Sequence, residues 1–235
     1  MKPLGRKNYG SIGHLPNSRM GPADHSVHEG QSRICQVKTR DRHDWIVVTE
    51  KLDGSNVGIA RVNGQVLALG RAGHLAQTSK YEQHQLFAHW VRQREAYWRD
   101  VLKDGERLVG EWIAQAHGTI YRNIPSVGPF VAFDLMRDDQ RAPHDEMWER
   151  CCDFDVPLPK LLYSSDNPIA VETVMAAHGA GACGADEPEG VVYRVERRGE
   201  FDFMAKWVRP DKVDGKYLPE VAGSVSAEPV WNWRP

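Results

Sequence analysis

Apolar and polar positions along the chain switch between a two-residue rhythm and a helical one. Trp45 to Glu50, Val57-Gly58-Ile59-Ala60-Arg61-Val62 and Gln65-Val66-Leu67-Ala68-Leu69-Gly70-Arg71 read as strands, and Asn63-Gly64 between the last two predicts a tight hairpin. Ile34 to Val37 reads as a further short strand. From Tyr81 to Leu102, Leu86, Phe87, Trp90, Val91, Tyr97 and Trp98 recur among charges with no glycine or proline, which predicts an amphipathic helix with its aromatic stripe in the core. Arg107 to Ile113 and Glu189 to Val195 read as strands that pair a glycine with an acid. Pro129 to Met136 is apolar enough for a strand buried on both faces. Between them, helical pieces are expected near Asp145 to Asp153 and Ala170 to His178, separated by proline-rich connections. The chain thus mixes strands and helices.

Residues 1–33 are rich in Gly, Pro, Ser, His and Arg and carry closely spaced turn signals. They are expected to form a loop-rich arm, with residues 34–235 as the catalytic domain and no separate C-terminal domain. Ile12, Leu15 and Met20 are apolar anchors in the arm, while His14, Arg19, His25 and His28 are donors suited to phosphate. Two roles for the arm are open at this point: gripping a nucleic-acid end, or covering part of the core.

With 30 basic and 32 acidic side chains among 235 residues, the formal net charge is −2, so no global positive field draws in nucleic acid. Any such surface must be a local patch. No run approaches the length needed to cross a bilayer, and Met1-Lys2-Pro3-Leu4-Gly5 lacks the apolar core of a secretion signal, so a cytoplasmic protein is expected. Cys35, Cys151, Cys152 and Cys183 have neither zinc-site spacing nor the density of a disulfide framework. The ten histidines show no metal-binding spacing, which leaves a dissociable magnesium ion as the metal to consider.

The chemistry concentrates at Lys51. It ends one β-like run, and Asp53-Gly54 after it signals a turn that bends the chain back. A lysine amine attacks phosphorus only when neutral, so a nucleophilic Lys51 calls for a pKa drawn down from about 10.4 by burial or by neighbouring cations.

Lys51-Leu52-Asp53-Gly54 resembles the nucleotidyl-transfer signature of ATP-dependent polynucleotide ligases and mRNA capping enzymes. Glu50 before it and Asn56 after it are most similar to the RNA ligase branch, the nick-sealing bacteriophage type. The resemblance runs in order through five motifs, from about residue 45 to about residue 210, taking in Glu111, Phe133, Glu189-Gly190-Val191-Val192 and Lys206; Arg71 adds a further family-like spacing from Lys51. It implies an α+β nucleotidyltransferase fold with antiparallel sheets around a nucleotide pocket and flanking helices. It also implies ATP, used as covalent AMP, with Mg2+ or Mn2+ as cofactors. On this basis Lys51, Glu189 and Lys206 are the catalytic residues. Glu50, Asn56, Arg71, Glu111, Phe133 and Lys206 hold the nucleotide, with Phe133 on the base and Glu111 on the ribose. Asp53 and Glu189 would orient the metal through water. AMP would pass to a 5′-phosphate RNA end or nick, and a 3′-hydroxyl would displace it.

One departure is that the last motif holds a single lysine, with Met204 and Val208 two residues to either side; Arg209 and Lys212 are the candidates for the missing charge. A second is length, since the 29 residues after Lys206 are too few for an oligonucleotide-binding barrel. The grip on substrate is then left to the arm, the catalytic surface, a homodimer partner or an accessory repair protein. A capping-type guanylyltransferase, a DNA ligase and a non-catalytic nucleotide- or RNA-end-binding module are the alternatives.

Overall fold

The computed structural model describes residues 2–179, 184, 186–221 and 224–235; Cys183 lies outside the described residues. In chain order the elements are β1 (Gly13–His14), α1 (Glu29–Gln36), β2 (Asp44–Lys51), β3 (Ser55–Val62), β4 (Gln65–Gly70), α2 (Glu82–Gln93), α3 (Glu95–Val101), β5 (Glu106–Trp112), β6 (Phe130–Arg137), β7 (Gln140–Arg141), α4 (His144–Asp153), β8 (Leu161–Ser165), α5 (Val171–His178), β9 (Gly190–Arg197) and β10 (Glu200–Val208). They build two sheets, ordered β1-β10-β9-β2-β8 and β4-β3-β5-β6-β7. Every pairing is antiparallel except β1 with β10. This is the expected α+β arrangement.

Strand alternation decides which side chains meet helices and which meet the space between the sheets. In the first sheet Ile46, Val48, Val191, Tyr193 and Val195 pack with Ile34 and Cys35 of α1 and Val171 and Val174 of α5. Val47, Thr49, Lys51, Val192 and Arg194, the residues in between, line a cavity instead. In the second sheet Ile59, Leu108, Phe130 and Leu135 pack with Phe87 and Trp90 of α2 and Trp98 of α3. The aromatic stripe is core, as its spacing predicts, although α2 ends at Gln93 and α3 starts at Glu95 with Arg94 out of helical geometry between them. The break lets Trp90 and Trp98 pack on each other at 5.6 Å and both reach Phe130.

Asn63 and Gly64, at φ 51° and 76°, close the β3–β4 hairpin as the sequence predicts. Two expectations fail. Ile34 to Val37 is no strand: Ile34 to Gln36 close helix α1, with Val37 as its C-terminal cap, and Gln31 Oε1 accepts the His28 N–H at the start of the helix at 3.2 Å. Asp53-Gly54 does not fold β3 back onto β2 either, because β2 pairs with β8 and β9 while β3 pairs with β4 and β5. Residues 52–54 carry the chain from one sheet to the other. A Cβ on Gly54 would lie 2.5 Å from the Trp112 carbonyl oxygen, so only glycine fits this crossing.

A buried polar cluster ties the sheets together. Asp134 on β6 accepts hydrogen bonds from Tyr9 Oη at 2.9 Å, Arg141 Nε at 2.6 Å and Arg194 of β9 at 3.0 Å. Arg194 Nε also donates to Glu196 at 2.7 Å. Removing one member of such a cluster strands the others in low dielectric. Asp134→Ala is therefore expected to lower the unfolding free energy by about 3 to 5 kcal/mol, and Tyr9→Phe by about 1 kcal/mol, measured by urea unfolding.

Candidate active site

β2 delivers Lys51 to the point where the chain leaves the first sheet, so its ammonium sits between the two sheets on the wall of a cavity of about 810 Å³. Glu50, Asn56, Arg71, Glu111, Phe133 and Lys206 line the same cavity. Residues up to 156 positions apart in sequence are thereby brought together around one space, Glu50 and Lys206 being the extremes. Asp53 and Glu189 do not line it: Glu189 pairs with Lys51 from behind, and Asp53 is held by Lys212 and the Gly118 N–H.

Lys51 Nζ donates to Glu189 Oε2 at 2.6 Å and to the Leu52 carbonyl at 3.2 Å. The lowered pKa that nucleophilicity calls for is absent. Burial works to lower it, but Glu189, Glu111 and Asp53 outweigh burial and hold the Lys51 pKa above the ordinary lysine value. Glu189 is itself raised, by burial first, with Lys51 opposing. Glu111 accepts the Gly54 N–H at 3.0 Å and is pushed up to about 8 by burial, with Glu189 and Asp53 adding to it and Lys51 opposing.

Asp53 accepts from Lys212 Nζ and, at 2.7 Å, from the Gly118 N–H. Burial works against its charge, yet Lys212 and Lys51 keep its pKa below the usual carboxylate range. Of the two candidates for the missing motif charge, Lys212 is thus buried against Asp53 and Thr119, whereas Arg209 pairs with Glu187 and Asp211. Lys206 pairs with Asp24 at 3.3 Å, and Met204 lines the cavity beside it.

Phe133 owes its place to a bulge. Val109 pairs with Asp134 and Gly110 with Ala132, so Phe133 is the extra residue of β6 and turns toward the cavity, edge-on to Tyr9 at 5.4 Å. Glu50 accepts the Lys160 N–H at 2.8 Å. Asn56 Oδ1 is buried with no hydrogen-bond partner among the described residues, which suits a group that meets a polar ligand. Arg71 is exposed at the rim, and its carbonyl accepts the N–H groups of Asn8 and Tyr9.

The sequence reading missed Tyr9, Gly10 and Ile12, which wall the cavity from the arm, and the pairing of Asp24 with Lys206. No spacing rule reaches from residue 24 to residue 206. His14, read as a phosphate donor, is buried, and Leu15 is 1% exposed in the core. Arg19 is paired with Asp214 at 2.7 Å. A polar chain also missed runs along the other flank, from Ser79 through His84, Ser55 and Gln83 to His117.

The pairs Lys51–Glu189, Lys212–Asp53 and Lys206–Asp24 leave Glu111 without a cation of its own in this cluster. The excess of carboxylates that this gives the region around Glu189 and Asp53 fits a divalent cation. Among the described residues no three His, Cys, Asp or Glu side chains converge to hold one directly, so the donor set fits an ion held through water. No helix among the described residues is long and apolar enough to cross a membrane.

The RNA ligase family model matches residues 44–208, and the chain belongs to that family. Its fold is similar to those of an archaeal ATP-dependent RNA ligase (20% identity, TM-score 0.50, 85% of this chain and 48% of that one) and a mutant Naegleria gruberi RNA ligase with AMP and Mn (17%, 0.54, 93% and 63%). A putative ATP-dependent DNA ligase from Aquifex aeolicus is similar to the same degree (16%, 0.50, 85% and 49%). The chain thus spans about half to under two thirds of the length of these structures. A comparison with curated proteins gave no match.

Because the folded-state pKa of Glu111 lies above its unfolded value, the folded chain binds more protons than the unfolded one between about pH 4.5 and 8. The stability this group contributes is fully present below that window and is lost as pH rises through it. The unfolding free energy of the ligand-free protein is therefore expected to fall from pH 5 to pH 8, and Glu111→Gln to flatten that fall. A ¹³C NMR carboxyl titration with a midpoint near 8, absent in the variant, checks the assignment.

Proposed function

We propose that this chain is an ATP-dependent RNA ligase that works through lysyl-AMP, with RNA ends or nicks as substrate and the cytoplasm as its compartment. The observation that carries the reading is Lys51: a mostly buried lysine on the wall of a cavity that also presents an aromatic ring and a surplus carboxylate. Family membership supports the same chemistry.

In the first step Lys51 Nζ attacks the α-phosphorus of ATP; a P–N bond forms and the P–O bond to pyrophosphate breaks. The ammonium must first lose a proton. Glu189 Oε2, at 2.6 Å, is the acceptor within reach, and its raised pKa narrows the gap the proton has to cross. Lys206 and Arg71 hold phosphate oxygens, Asn56 and Glu111 the sugar side, and Phe133 the base, with Glu50 completing the nucleotide pocket. Mg2+ or Mn2+ held through water by Glu189, with Asp53 beside it, would neutralise charge on the phosphates. Next, a 5′-phosphate oxygen takes AMP from Lys51, breaking the P–N bond. A 3′-hydroxyl then attacks that 5′-phosphate, forms the phosphodiester and expels AMP.

Positioning and charge neutralisation supply most of such a reaction. Incubation with magnesium and α-labelled ATP, GTP or NAD is expected to label the protein covalently from ATP alone, and Lys51→Ala to abolish the label. A label from GTP would point to capping instead. With nicked duplexes, a 3′-OH strand ending in ribonucleotides is expected to seal faster than one ending in deoxynucleotides; the reverse order would make the enzyme a DNA ligase.

A further inference from the structure

Lys206 lies on β10 directly opposite His14 of the parallel strand β1, and its carbonyl accepts the Leu15 N–H at 2.8 Å. The arm then turns through Asn17 and returns along the other side of β1, where His14 N–H donates to His25 O at 2.8 Å and Val27 N–H to His14 O at 2.9 Å. This closed loop brings Asp24 over the ammonium of Lys206, 3.3 Å away. The carboxylate is fixed from behind. Its second oxygen accepts the Gly21 N–H at 2.9 Å and lies 3.2 Å from His14 Nε2. His14 is fixed in turn, its Nδ1 2.6 Å from Ser18 Oγ, which accepts the Val208 N–H at 2.9 Å. There is no slack at the strand itself, since a Cβ on Gly13 would lie 2.8 Å from Val27 Cγ1.

Asp24 is anionic at any working pH: burial resists its charge, but the Gly21 N–H, Lys206 and His14 bring its pKa to about 2. Lys206 is drawn below the ordinary lysine value by burial and by Lys51, with Asp24 and Glu189 opposing. The charged and titratable groups facing it are therefore Asp24 and His14 from the arm, Lys51 from β2 and Glu189 from the turn into β9. Met204, the residue two before it on the same face, is neutral, so Lys206 is the cation that β10 offers to the cavity.

We propose that Asp24 is the positioning residue for Lys206: the arm supplies a rigid carboxylate that fixes the ammonium, and keeps it charged, on the phosphate side of the cavity. The role in nucleotidyl transfer rests on the function proposed above. The pairing itself is testable without it.

The test uses Asp24→Asn, which keeps an acceptor for the Gly21 N–H, and Asp24→Glu, which keeps the charge. In the ligand-free protein, competitive acetylation of lysines read by mass spectrometry across pH is expected to place the Lys206 pKa lower in Asp24→Asn by about one unit. Lysyl-AMP formation at saturating ATP is expected to slow roughly tenfold or more, with the basic limb of its pH profile displaced to lower pH. Asp24→Glu should recover most of the rate. Should the asparagine variant not fold, Asp24→Ser removes the charge while leaving an acceptor. A folded neutral variant with the Lys206 pKa and the basic limb both unchanged would overturn the proposal. If the wild type forms no lysyl-AMP at all, the functional reading fails while the acetylation result still decides the pairing.

Discussion

Gly54 has to cross with its α-carbon hard against the Trp112 carbonyl, and that close approach organises the site. It lets β2 stop in one sheet and β3 begin in the other within three residues, so Lys51 is the last residue on one wall and Asn56 is among the first on the opposite wall. Glu111 is drawn in by the same crossing, because it accepts the Gly54 N–H. A two-residue hairpin at this point would have put β3 beside β2 and left no space between the sheets. The cavity exists because the chain changes sheet where the lysine is.

Charge pairing then determines what the cavity can hold. Three cations and four carboxylates crowd one region, and each lysine has its own partner, which leaves Glu111 to lie largely protonated below about pH 8. A buried ion pair is weak evidence for stability, since desolvation offsets much of the attraction. Its consequence here is positional: the pair holds the Lys51 ammonium 2.6 Å from Glu189 at the wall of the cavity. In the ligand-free protein the carboxylates around Lys51 outweigh its burial and hold it as the ammonium.

The arm belongs to the site rather than to its periphery. Leu15 and Ile12 pack into the core, Tyr9 anchors to the Asp134 cluster that joins the sheets, and Asp24 reaches Lys206. These are tertiary contacts between the first 24 residues and strands more than a hundred positions away. Core packing and the charge pairs of the cavity are therefore joined through one segment that, by composition, reads as a loop-rich leader.

Local order was legible in the sequence wherever a local rule governs it. Asn63-Gly64 closes a hairpin because both residues accept positive φ, the strands on either side of Lys51 follow their apolar alternation, and Glu50, Lys51, Asn56, Arg71, Glu111, Phe133 and Lys206 of the cavity wall were found from family-like motifs and spacing. What the sequence by itself determined is thus most of the longer elements, α1 apart, and, through the family's motifs, the α+β class and the reactive side chains. Tertiary structure decided the rest. Asp53-Gly54 crosses between sheets instead of folding back because the partners of β2 and β3 come from β9 and β5, which no local pattern encodes. Ile34 sits in a helix because its neighbours in space, α5 and the first sheet, bury one helical face. The protonation of Lys51 depends on Glu189, 138 residues away, and electrostatic energy follows distance in space, to which separation along the chain is blind.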